Sequence, residues 1–206
     1  MNIEALQVGT VGTNCYLVSA GEICAVIDPG GEPEEIERVM KEHGWKPGAI
    51  LLTHSHFDHT GGVAGLQADF PGIPVYRNDR DVATPGDRAL EQLFPPLKDT
   101  LPCEEGDQIQ VGELTFDVLS TPGHSKGSLT FRCGDNLFCG DTLFFGSCGR
   151  SDFPGGSQEE MNASLVRLGR MEGNLKVYPG HMGPSNLDRE RMGNPFLKKA
   201  LEQAKE

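Results

Sequence analysis

The chain has 206 residues, with 30 acidic against 18 basic side chains and a formal net charge of −12 at pH 7. A surface of that sign repels phosphate backbones, and no basic cluster exceeds Lys198-Lys199, so no nucleic-acid partner is expected. No apolar run approaches ~18 residues and the start, Met1-Asn2-Ile3-Glu4, lacks a basic and apolar leader, so a cytoplasmic protein off the membrane is expected. The length suits one domain, or two intimate halves around a shared core. Cys15, Cys24, Cys103, Cys133, Cys139 and Cys148 form no C-x-x-C pair, and free thiols are expected of them.

In chain order, residues 2–9, 15–19 and 23–28 read as three short strands with Gly-rich turns between them. Asp28-Pro29-Gly30-Gly31 reads as a turn, and Pro33 stands at the start of a helix. In that helix Ile36, Val39, Met40 and His43 fall on one face, which makes His43 a partly buried structural residue, while Glu34/Arg38 and Glu37/Lys41 pair on the other. Ala49 to Leu52 is a short buried strand, 60–68 a helix and 73–76 a strand. The stretch 78–107 is the least readable. It holds one helical candidate, 87–94, and reads as a connection that either walls one side of a pocket or is a plain surface loop. Strand patterns resume at 108–111, 114–119, 128–133 and 136–139. Ser157 to Glu160 has capping-box spacing ahead of a helix that turns Met161, Leu165 and Leu168 inward. A strand at 175–178 and a last helix from Pro195 to about residue 204 complete the order. The order divides into two similar halves, about 1–100 and 101–206, with strands first and helices after, although no residue-level repeat is visible.

The chemistry is concentrated at Thr53-His54-Ser55-His56-Phe57-Asp58-His59-Thr60-Gly61-Gly62, which follows the buried strand. Three of the six histidines stand here, and imidazole is the commonest metal ligand. In extended chain His54 and His56 point the same way, whereas Asp58 and His59 fall where the chain turns into a helix. Two ligands aimed forward and two sideways suit two neighbouring metals better than one. Three further places share one design, a strand end, a Gly-bearing turn and a ligand-type side chain: Thr121-Pro122-Gly123-His124, Cys139-Gly140-Asp141-Thr142 and Tyr178-Pro179-Gly180-His181.

With these segments in view, the sequence resembles the metallo-β-lactamase superfamily, and within it the glyoxalase II-type hydrolases (hydroxyacylglutathione hydrolases) and their short relatives. The resemblance also runs through Gly140 to Phe144, Gly149-Arg150-Ser151-Asp152-Phe153 and Asn194-Pro195-Phe196-Leu197. It implies an α/β fold of four layers, an αββα sandwich, with the metal site at one edge between the halves. It implies that His54, His56 and His124 hold one divalent ion, that Asp58, His59 and His181 hold a second, and that Asp141 bridges them. Zinc is the expected metal, with iron or manganese as alternatives. Asp58 and Asp141 are thus expected to be catalytic as well as ligating. β-Lactamases of this superfamily typically have a cysteine where Asp141 stands, which argues against antibiotic hydrolysis as the main activity.

The expected enzyme is a binuclear metallohydrolase in which a metal-bridging hydroxide attacks an acyl carbonyl. All the titratable groups of the motifs are ligands, which leaves no general acid for a leaving group. A thiolate needs none, because a thiol pKa is about 8.5. An acyl thioester is therefore the expected small-molecule substrate, with a hydroxyacylglutathione as the form the resemblance implies. Arg150 matches a basic residue that helps bind glutathione in the family, but the aromatic residue expected two positions later is Asp152 here, and a structural Arg150–Asp152 pair is the alternative. The helical extension that grips glutathione in long enzymes would only be starting at Asn194-Pro195-Phe196, so weak or relaxed glutathione recognition is expected. Phe144 and Phe145 are candidates for the acyl pocket, with one of the two going to core packing. The competing readings are a persulfide dioxygenase using one iron, a nuclease of the same superfamily, and a non-enzymatic metal-stabilised domain. A monomer or a homodimer is expected.

Overall fold

The computed structural model describes residues 1–81 and 86–205. Residues 2–102 supply six strands: β1 (Asn2–Val8), β2 (Thr13–Ala20), β3 (Ile23–Ile27), β4 (Lys46–Leu51), β5 (Val75–Arg77) and β6 (Thr100–Pro102). They form one sheet in sequence order, antiparallel through β1, β2 and β3 and parallel from β3 to β6. Its helices are α1 (Pro33–Glu42), α2 (Phe57–Thr60), α3 (Val63–Asp69) and α4 (Arg88–Leu93). The second sheet uses β7 (Gln108–Val111), β8 (Leu114–Ser120), β9 (Leu129–Cys133), β10 (Asn136–Gly140), β13 (Lys176–Pro179) and β14 (Ser185–Asn186), in the order β14-β13-β10-β9-β8-β7. A separate hairpin, β11 (Leu143–Phe144) and β12 (Ser147–Cys148), precedes α5 (Gln158–Gly169), and α6 (Leu187–Gly193) and α7 (Pro195–Gln203) follow β14.

Side chains that alternate along a strand serve two different cores. In β2, Tyr16 and Val18 face the second sheet, where they pack with Phe116, Phe131 and Phe138, while Cys15 and Leu17 face the helices and pack with Ile36, Met40, Val63 and Leu66. In the second sheet Leu137 and Val177 face outward onto Met161, Leu165 and Leu168 of α5 and Leu197 of α7. The layers are therefore helix, sheet, sheet, helix, as expected, with one core between the sheets and one beneath each helical layer. All six cysteines are free and five are buried. Among the described residues no helix is long and apolar enough to cross a membrane.

Several elements differ from the sequence reading. His43 is exposed, because α1 ends at Glu42 and position 43 no longer follows the helical period. Trp45 is buried beside it instead, and the His43 ring stacks on the indole at 4.3 Å. Arg38 pairs with Glu35 at 2.6 Å and with Glu42, not with Glu34, whereas Glu37 and Lys41 pair at 3.0 Å as expected. The helix expected over 60–68 is two, α2 and α3, interrupted where Gly61 and Gly62 pass the 29–31 turn. A Cβ on Gly61 would lie 2.5 Å from the Gly30 carbonyl oxygen, and the Gly62 N–H donates to the Pro29 carbonyl at 2.8 Å. Within 78–107 the structure has α4, capped by Asp87, and the edge strand β6. The part of that stretch at 82–85 lies outside the described residues.

Phe138 is fully buried between the sheets, with Tyr16, Tyr178 and Phe116 rings 5.5, 5.0 and 6.4 Å away. Phe138→Ala is expected to lower the unfolding free energy by about 3–5 kcal/mol. Urea denaturation with an unchanged slope would check it, and a loss below about 1 kcal/mol would show that this core repacks freely.

Candidate metal centre

Every candidate ligand stands just beyond the C-terminal end of a strand. The segment 54–59 follows β4, His124 follows β8, Asp141 follows β10 and His181 follows β13. β8 and β10 each pair antiparallel with β9, and β13 runs parallel to β10, so these three strands end at one edge of their sheet. Backbone bonds join that edge to the first sheet: Leu129 N–H donates to the Thr53 carbonyl and Asn14 N–H to the Gly180 carbonyl, both at 2.7 Å. Gly180 must be glycine for the closure, since a Cβ there would lie 2.3 Å from Asp141 Oδ1 and 2.7 Å from His59 Cε1.

The seven side chains named from sequence converge. His54, His56 and His124 form one set of mutually close ligand atoms, Asp58, His59 and His181 a second, and Asp141 joins His54 and His59 in a third. His124 Nε2 lies 2.9 Å from His56 Nδ1, and His181 Nε2 lies 3.3 Å from Asp58 Oδ2. Asp141 reaches both sides, with Oδ1 3.4 Å from His59 Nε2 and Oδ2 3.5 Å from both His124 Nε2 and His181 Nε2. Donors held about 2.1 Å from a common ion are themselves about 3–3.5 Å apart.

The donors also show what they lack. His54 Nε2, His59 Nε2 and Asp141 Oδ1 are buried without a hydrogen-bond partner, a cost that a cation among them removes. Burial, reinforced by the neighbouring imidazoles, pushes His54 well below the ordinary histidine range and takes His56 down to about 3, so both rings are neutral and keep a lone pair. For Asp58 and Asp141 burial works against ionisation, but the hydrogen bond from His181 to Asp58 and the charges of His59 and other rings outweigh it, and both stay below the usual carboxylate range. At His59 burial opposes the charged form, yet Asp28 and Asp141 outweigh it and push the ring well up. A proton on Nε2 there occupies the position an ion would take. The residues fit divalent ions.

The far side of the ligands is held by residues to which the sequence reading gave no role. Asp28, read only as part of a turn, is buried at φ 51° and accepts from Thr53 N at 2.7 Å, Thr53 Oγ1 at 2.6 Å and His59 Nδ1 at 2.9 Å. Thr53 Oγ1 in turn faces His54 Nδ1 at 3.1 Å. These bonds put a ring proton on Nδ1 of each and turn the Nε2 atoms of His54 and His59 inward. Asp81 ties the two halves of the first set together. It accepts from Ser55 N at 3.1 Å, Ser125 Oγ at 2.8 Å and Gly127 N at 2.7 Å. The only sequence signal for Asp28 was an acid at a strand end facing the same rim as the histidines, and Asp81 sat in the stretch with no readable pattern.

A cavity of about 510 Å³ opens onto the donors, with His56, Asp58, His124, Asp141 and His181 at its floor and Val11, Phe57, Leu93, Phe144 and Phe153 on its walls. Phe144 is buried, its ring 6.0 Å from His181. Phe145 is turned away under the Arg189 guanidinium, 3.9 Å from the ring centroid, and is not among the lining residues. The hairpin carrying Phe144 is held by Asn194, which donates to the carbonyls of Phe144 and Ser147 at 3.2 and 2.8 Å, and by the buried Glu190, which accepts from Gly146 N at 2.8 Å. Arg150 lines the mouth, and its carbonyl accepts from His124 Nδ1 at 2.7 Å. Asp28→Asn, which weakens the acceptor for His59, is expected to reduce metal affinity about 10–100-fold while the protein stays folded. Competition with a chromogenic chelator would measure this, and an unchanged affinity would remove Asp28 from the site.

A family profile described as the metallo-beta-lactamase superfamily matches residues 8–181. The chain is 34% identical to a probable metallo-hydrolase, YqgX, of Bacillus subtilis (strain 168), over 96% of this chain and 98% of that one. It is 32% identical to the hydroxyacylglutathione hydrolase GloC of Haemophilus influenzae, again over 96% and 98%. Among solved structures it is similar to TTHA1623 in a di-iron-bound form, with a TM-score of 0.81 and 39% identity over 94% of this chain and 99% of that one. It is also similar to the BLEG-1 B3 metallo-beta-lactamase, with a TM-score of 0.86 and 31% identity over 95% and 99%. Fold, converging donors and profile agree: the chain belongs to the metallo-beta-lactamase superfamily.

Proposed function

We propose that the protein is a metal-dependent hydrolase of acyl thioesters. The observation that carries this reading is the composition of the cavity. Seven N and O donors line or underlie its floor, its walls are mostly apolar, and among the described residues it offers no general acid beyond the ligands themselves. His54, His56 and His124 would hold one divalent ion, Asp58, His59 and His181 a second, and Asp141 would touch both. Such ions supply Lewis acidity towards a carbonyl and bring the pKa of water towards neutrality. Imidazole and carboxylate donors suit zinc, iron or manganese, and we propose zinc.

The remaining chemistry belongs to the chain. Phe144 and Phe153 present ring surface to an acyl group, and Val11, Phe57 and Leu93 extend that surface towards the mouth. Among the described residues the one titratable lining group outside the ligand set is Arg150, whose guanidinium stays protonated at any working pH and is no general acid. An alkoxide or amine leaving group would thus find no acid, whereas a thiolate leaves without one. Water adds to the acyl carbon, the carbon–sulfur bond breaks, and a carboxylate, a thiol and one proton are released. The similarity to a hydroxyacylglutathione hydrolase over nearly the whole chain supports the same class. Asp58 and His59 do not separate this reading from a one-iron dioxygenase, but His181, which completes the second donor set, favours it.

Asp58→Ala is expected to lower kcat/KM for S-lactoyl thioesters at least about 10³-fold while the circular dichroism spectrum stays native. Metal per chain should fall from two towards one. Activity near wild type in this variant, or oxygen uptake with a persulfide in place of thioester hydrolysis, would overturn the proposal.

A further inference from the structure

We propose that Asn14, on β2, is a positioning residue for His181, and that it sets the metal affinity of the second donor set without acting on the first. This rests on the two-ion part of the proposed function and adds to it the control of one ion by a residue outside the donor set. Three rings of the set are anchored through Nδ1: His54 by Thr53 Oγ1, His59 by Asp28 and His124 by the Arg150 carbonyl. His181 has no such anchor among the described residues. Its ring meets polar partners through Nε2 alone, Asp58 Oδ2 at 3.3 Å and Asp141 Oδ2 at 3.5 Å. The side chain is 21% exposed, whereas that of His59 is fully buried. A ring without an anchor of its own is placed by the backbone that carries it.

That backbone is held from the other sheet. Asn14 Nδ2 donates to the Pro179 carbonyl at 3.0 Å and to the Met182 carbonyl at 2.7 Å, while Asn14 N–H donates to the Gly180 carbonyl at 2.7 Å. Tyr16 Oη gives the Pro179 carbonyl a second donor at 2.7 Å. Three of the four carbonyls at 179–182 thus end on β2. Asn14 and Tyr16 are buried, so removing the amide leaves those carbonyls short of a donor. Met182, directly after His181, lies at φ 68°, which a residue other than glycine rarely adopts, and its side chain is exposed, so packing does not enforce that conformation. The Asn14 amide is what holds it. β2 reaches the second donor set once more, through Thr13 Oγ1, which donates to Asp58 Oδ2 at 3.2 Å. Among the described residues it makes no hydrogen bond to His54, His56 or His124.

The test is a zinc titration of the metal-stripped full chain in competition with a chromogenic chelator. Wild type is expected to take up two ions per chain. Asn14→Ala is expected to weaken one binding step about 10–100-fold and to leave the other within about twofold. Added to Asp58→Ala, it should not change the affinity of the ion that remains. Met40→Ala, which hollows the core beneath α1 and touches no bond to 179–182, should alter neither step. Tyr16→Phe should weaken the same step by less, and it decides the matter if Asn14→Ala does not fold. Equal weakening of both steps, or of neither, would overturn the proposal. If wild type takes up only one ion, the two-ion reading fails. Ring resonances of the metal-free protein then still decide the role of Asn14. Those of His181 must shift or broaden in Asn14→Ala while those of His54 and His59 stay, and unmoved His181 resonances would remove Asn14 from the site.

Discussion

Three hydrogen bonds onto one buried carboxylate decide where the donors of this site point. Asp28 follows directly on β3, and through Thr53 and His59 it fixes both the start of the 54–59 segment and the imidazole in the middle of the donor set. Its left-handed backbone conformation turns the chain out of the sheet at once, which asparagine and aspartate tolerate better than most residues. Rings anchored at Nδ1 with Nε2 aimed inward follow from that arrangement. The alternative of leaving a carboxylate with no donors at that depth would cost several kcal/mol.

The second sheet answers with geometry of another kind. Three strands running the same way deliver His124, Asp141 and His181 to one edge, and glycines let the backbone come close enough for the carboxylate to lie between two donor groups. The wall of the cavity is supported from the far end of the chain. Asn194 caps α7 by accepting from Phe196 and Leu197 while its amide group holds the hairpin that presents Phe144. Helix initiation and pocket shape therefore depend on the same side chain.

Much of this was legible in the sequence because metal chemistry restricts residue types so strongly. The cluster at 54–59 and the three Gly-bearing turns named all seven converging side chains, and the period-2 and period-3.6 patterns gave the main strands and helices. What escaped had no pattern to carry it. Asp28 and Asp81 act through single carboxylates on backbone amides and hydroxyls, and one acid in a turn looks like any other. The strand β6 has hardly any buried surface, and α6, with Asp188, Arg189, Glu190 and Arg191 in succession, hides its buried Leu187 and Glu190 in a charged run. His43 was misplaced because the apolar period was carried one position past the helix end, where Trp45 takes over the burial. Phe144 and Phe145 were separable only once the hairpin and Arg189 were in view.

The donor set draws His54, His56, Asp58 and His59 from the first sheet's half of the chain and His124, Asp141 and His181 from the second's. A cation held by members of both groups would be a cross-brace between two bodies that otherwise meet through apolar side chains and through the Leu129–Thr53, Asn14–Gly180 and Asp81 hydrogen bonds at the rim. Its occupancy therefore reports on the docking of the halves as well as on catalysis.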